Sequence, residues 1–242
     1  SNALAPTFEQ RVTQLIGTKY KALSTNIASG TANNLGSIFD ESLRSVVILL
    51  PADYLVSEGR KAATSETGTS GTAVEGKYVI QVLREDADNV LRECKKVSTK
   101  EYSLAGDSES IYFATDRSPV YKIAYDASNY QEVMVLPDPS ATDVVSVYTF
   151  DWDTNRSYQA DALDITSSSN KGLYAQSIEG LPYEAEQVVI YKAALDYLQV
   201  YLGDTSNEEE DPEMFQLVTG QVQSLTQLFI NEMKKLGVNL GA

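Results

Sequence analysis

LPYEAEQVVIYKAALDYLQVYLGDTSNEEEDPEMFQLVTGQVQSLTQLFINEMKKLG, residues 181–237, spells two helices joined by an acidic connection. Pro182 is a favoured early helical residue, and Val188, Tyr191, Leu195, Leu198 and Leu202 recur at three-and-four spacing, one buried stripe ending at Gly203. The second helix is expected to take Asp211 as N-cap and Pro212 as its first residue, with Glu213 where the helix dipole favours negative charge. Its apolar stripe is Phe215, Val218, Val222, Leu225, Phe229 and Leu236. Such an αα-hairpin needs further helices to cover its apolar faces.

The other end of the chain supplies candidates. Thr7 and Gln10 form a capping box ahead of a helix with Phe8, Val12, Leu15, Ile16, Leu23 and Ile27 on one side, closed by Gly30 and a polar stretch. Ser37 and Asp40 frame a second helix carrying Phe39, Leu43, Val46, Val47 and Leu50; Pro51 interrupts it, and Ala52–Val56 adds a turn. Residues 4–58 are thus expected to complete a helical bundle with residues 181–237, leaving 238–242 as a flexible tail.

Between these ends the period changes. Residues 59–76 are small and polar and read as a flexible linker. From Lys77 the pattern alternates. Strands are expected at Lys77–Arg84, at Ile111–Thr115 and Val120–Tyr125 flanking an Asp116–Pro119 turn, at Glu132–Leu136 and at Val144–Phe150. Short intervals between strands favour an antiparallel meander or small sandwich over residues 77–154. Residues 155–180 form a polar connection, most flexible at SSSNKG. The fold class is therefore α+β, with an antiparallel β domain inserted into a helical bundle.

Composition narrows the chemistry. The chain has no histidine, which removes Ser-His-Asp and Cys-His catalysis and the paired-histidine zinc helix. Cys94 is the only cysteine, so no internal disulfide forms, and without a histidine partner it reads as a structural thiol. Phosphate-loop and dinucleotide glycine signatures are absent. A net charge of −15 opposes phosphate-neutralising nucleic-acid binding. No apolar run approaches the roughly 20 residues of a membrane span, and no basic leader is visible. Fifteen tyrosines fall mostly in the β section and the third helix, where half-buried sheet positions account for them and interfaces are the alternative.

Few clusters remain as candidate sites. Glu208, Glu209, Glu210 and Asp211 read as a metal site, a patch for a basic neighbour, or a solvated helix start; adjacent carboxylates converge poorly on one ion. Trp152 between Asp151 and Asp153 reads as a packing residue, since neighbouring strand residues point to opposite faces. Arg84-Glu85-Asp86 and Arg92–Lys96 read as solvated loops, with Arg92, Lys95 and Lys96 the cations for an acidic partner. No catalytic residue, metal or cofactor is expected.

The P-x-E-A-E-x-V-V-x-Y-x-A helix from Pro182, the E-E-E-D-P-E joint from Glu208 and the Leu/Gln-rich helix after it resemble neck proteins of tailed bacteriophages, the head–tail connectors, adaptors and tail tubular proteins. FDESLRSVVILLPADYL, residues 39–55, resembles the same group. The resemblance covers both ends well and the centre only in outline. It implies a non-enzymatic virion structural protein, assembled in the host cytoplasm, that forms a homo-oligomeric ring on the portal protein. Other neck or tail proteins would be its further partners, and DNA would pass through without sequence-specific binding. From another class, a ligand- or carbohydrate-binding β module would use the tyrosines and Trp152.

Overall fold

The computed structural model describes residues 6–17, 35–56, 63–67, 71–125, 127–128, 130–139, 144–151, 178, 181–205 and 212–238. In chain order these form α1 (Phe8–Ile16), α2 (Leu35–Leu49), α3 (Ala52–Val56), β1 (Ala63–Thr67), β2 (Thr72–Ala73) and β3 (Lys77–Glu85). Then come β4 (Leu91–Glu93), β5 (Lys95–Lys96), α4 (Thr99–Ala105), β6 (Val120–Tyr125), β7 (Gln131–Leu136), β8 (Val144–Asp151), α5 (Tyr183–Thr205) and α6 (Pro212–Lys235). The protein is α+β. It divides into two compact units, Ser1–Tyr54 with Asn155–Ala242, and Leu55–Thr154. Among the described residues no helix is long and apolar enough to cross a membrane.

In the first unit α5 is the central element, packed against α1, α2 and α6. Ala185, Val188, Val189, Ile190, Ala193, Ala194, Leu195 and Leu198 are all buried, so α5 is apolar around its circumference rather than along one stripe. The alanines let neighbouring helices approach closely. α1 begins at the Thr7–Gln10 capping box, both reciprocal bonds present, and stops at Gly17, whose φ of 89° suits glycine. Its expected continuation to Leu23 and Ile27 lies outside the described residues. Phe8 stacks on Phe39 of α2 with ring centroids 5.0 Å apart. Pro51 ends α2, and α3 follows it. α6 buries Val218, Leu225 and Met233, while Phe215, expected in its stripe, is 48% exposed. Tyr191 and Leu202 of α5 are only half-buried, and Gly203 does not stop α5, which runs to Thr205.

Among the described residues the second unit holds two four-stranded sheets, ordered β1-β8-β3-β4 and β2-β7-β6-β5. Val82, Val145 and Val147 of the first sheet meet Val133, Val135 and Tyr121 of the second in one core that also takes Val74 and Cys94. α4 covers the outer face of the second sheet, where Ala105, Ala114 and Val120 pack with Leu136 and Tyr102. Three expectations are corrected here. The linker read at 59–76 contains β1 and β2, because polar Thr and Ser suffice in edge strands whose backbone pairs with β8 and β7. The β unit is not wholly antiparallel: β5 runs parallel to β6. Ile111–Thr115 is no strand. Hydrogen bonds from Glu109 N to Asp107 Oδ1 (3.0 Å), Ser110 N to Asp107 O (2.9 Å) and Phe113 N to Ser110 O (3.1 Å) wind it into consecutive turns.

Candidate functional site

The sequence around 84–96, expected as solvated loops, is anchored by the buried side chains of Arg84, Asp86 and Cys94. Arg84 alternates inward with Val82 and is buried. Its guanidinium pairs with Asp116 at 2.8 Å and donates to the carbonyls of Pro137 (3.0 Å) and Glu85 (3.1 Å). It therefore ties the end of β3 to the loops bounding β6 and β7. Asp86, also buried, accepts from the amides of Asp88 and Val90, both at 2.9 Å, and from Arg92 Nε at 2.8 Å. The Arg92 bond, then the Val90 amide, hold its carboxyl below the ordinary carboxylate value. Arg92 is thus a fastener of the β3–β4 hairpin rather than an unengaged cation.

β4 then leaves β3. The Cys94 amide donates to Val82 O at 2.8 Å, and one residue later Lys95 N reaches Pro119 O at 3.0 Å, beside β6. One short stretch of chain therefore belongs to both sheets, and Cys94 is its corner, with its side chain in the shared core. Burial pushes the Cys94 thiol up to about 12, so it stays protonated at neutral pH.

The crossing opens a groove of about 410 Å³. Val82, Cys94 and Tyr121 lie at its base; Ile80 and Gln81 form one wall, and Glu93, Lys95 and Lys96 the other. Val79 and Gln81 flank a register break against β8, so Ile80 is the extra residue of a bulge. Tyr121, like Cys94, is pushed up to about 12 by burial. Both groups therefore stay protonated at neutral pH. The structure brings Lys95 and Lys96 together on this groove, with Arg92 on the hairpin before it. Glu208, Glu209, Glu210, Asp211, Trp152 and Asp153 lie outside the described residues, and Asp151 ends β8. Among the described residues no group of three or more Cys, Asp or Glu side chains could hold a metal ion.

A second polar cluster sits inside the helical unit and escaped the sequence reading. Arg11 of α1 lies between the Phe8 and Tyr183 rings, 5.3 and 5.2 Å from their centroids. It donates to Gln187 Oε1 at 2.9 Å and approaches Glu186 at 3.6 Å. Glu186 is buried and accepts the Ile178 amide at 2.7 Å. Desolvation raises its pKa, opposed by the Ile178 amide and Arg11. The available signal was position: Glu186 precedes Ile190 by one helical turn, on a face otherwise apolar.

Among the described residues, large apolar side chains are exposed at several places, including the β3–β4 hairpin at Val90 and Leu91 and three further patches. The further patches are Ile48 and Leu49 on α2, Phe215, Leu217 and Leu228 on α6, and the turn Ile111–Phe113, where Ile111 is 91% exposed. No protein-family model matches the chain, and a search of curated proteins finds no match either.

Proposed function

We propose that the chain is a structural protein of a tailed-phage neck, a subunit of a ring seated on the portal that continues the DNA channel and receives the tail. The observation that carries this is α6. It is a 24-residue helix with three buried residues, and Phe215, Leu217 and Leu228 face outward. A helix with so much uncovered apolar surface suits a subunit that packs against neighbours. The sequence resemblance of residues 181–237 supplies the family context. In this role the protein works by shape and charge. A net charge of −15 favours a lumen along which DNA slides without sticking.

The test is to mix the purified chain with the portal encoded beside it and examine the product by electron microscopy. Added ring density on the portal is expected. Failure to associate with the portal or any other neck component would overturn the reading.

A further inference from the structure

α6 carries a row of exposed residues spaced alike in both directions from Ser224. Gly220 and Leu228 lie four residues to either side, Leu217 and Asn231 seven, and Glu213 and Lys235 eleven. Those offsets return to one face of a helix, and every residue of the row is exposed, Leu217 by 57% and Leu228 by 42%. Between the ends the helix is uncharged. Residues 214–231 hold no Asp, Glu, Lys or Arg, in a chain of which 22% is charged. An exposed face that avoids charge in this way has the composition of an interface core. Gly220 adds a second argument. Glycine weakens a helix interior relative to alanine, yet a Cβ at Gly220 would meet no packing neighbour within 4 Å. The chain's own packing therefore gives no reason for a glycine there.

We propose that α6 pairs antiparallel with α6 of a second copy of this chain, the two-fold axis passing at Ser224. In that pairing Leu228 of each copy lies over Gly220 of the other and fills the hollow left by the missing side chain. The small Ser224, opposite itself, lets the helices approach closely. Glu213 of each copy meets Lys235 of the other, so the charges at the two ends of the row complement each other. Lys235 also holds Glu232 of its own helix, but it is 67% exposed and its ammonium has donors for a second carboxylate. A parallel pair would instead set Glu213 against Glu213 and Lys235 against Lys235. The uncharged middle of the row spares the contact the repulsion that a net charge of −15 imposes elsewhere between copies. One helix pair buries less than a standard interface, so a dissociation constant on the order of tens of micromolar is expected. The contact belongs to the free chain and does not rest on the neck reading. Being two-fold it closes on itself, so a ring can use this face of α6 only once the pair has opened.

The test is sedimentation equilibrium of the full chain from about 1 to about 300 µM, with no portal present. A monomer–dimer transition is expected. Every substitution falls on the exposed row, and circular dichroism checks that each variant is folded. L228E should weaken the dimer at least about tenfold. E213K and K235E should each weaken it as well, and the double variant E213K/K235E should recover it, because the exchange restores opposite charges in the antiparallel register alone. A chain that stays monomeric throughout, a dimer indifferent to L228E, or a double variant no tighter than its single parents would overturn the proposal.

Discussion

Glu186 shows how much one buried carboxylate can report. Its neutral form is favoured by burial, while Arg11 and the Ile178 amide support the charged form without fully offsetting desolvation. A carboxyl whose folded pKa lies above its unfolded value contributes stability that is fully present below the unfolded value, here 4.5, and is lost as pH rises through the folded one. Glu186→Gln removes that dependence and keeps an acceptor for Ile178. Wild type should therefore gain stability relative to Glu186→Gln on going from about pH 7 to about pH 4.5, as measured by urea denaturation at each pH. A pH-independent difference would contradict the assignment. Asp86 has the opposite sign: its lowered folded pKa gives stability at neutral pH that disappears as pH falls through that value.

At the scale of elements, α5 bears most of the helical packing. Leu198 is fully buried in it, and Leu198→Ala should cost about 3 kcal/mol, read from the shift in denaturation midpoint at unchanged slope. A loss below about 1 kcal/mol would mean that this face of α5 is not tightly packed. The helices were legible because their signals are local. The Thr7 capping box, the break at Pro51, and Pro212 with Glu213 all act within a few residues. α4 was legible in the same way, through Ser98 and Glu101, whose capping box is fully formed, although the sequence reading passed over it. The strand at Lys77 was legible from alternation. What could not be read locally depends on partners distant in sequence. Thr and Ser at 63–67 become a strand only because β8 is beside them. Arg84 is buried because Asp116 and Pro137 come to it, and Lys95 joins β6 because Pro119 is there. The groove is a product of that crossing, so only its lysines were visible in advance.

At the scale of the whole molecule, the β unit has an apolar core formed from its own residues. The β unit's core is drawn from Val74, Val82, Cys94, Tyr121, Val133, Val135, Val145 and Val147, all within Leu55–Thr154. Residues 55–154 produced alone should fold, giving dispersed amide NMR signals and one cooperative thermal transition. A collapsed spectrum would show that this core depends on the helices. The helical unit has no such independence from chain order. α1 and α2 bury Phe8, Val12, Phe39, Leu43 and Val47, and their shared partner α5 begins only at Tyr183. During synthesis the N-terminal helices emerge roughly 130 residues before that partner, on the order of ten seconds at translation rates of about 5–20 residues per second. The β unit is complete within that interval; the helical unit is not. A helix that is apolar all round and arrives late makes closure of the first unit the last act of folding. Any truncation before α5 leaves α1 and α2 exposed, and a ribosome that stops early releases a chain that chaperones and proteases can recognise as unfinished.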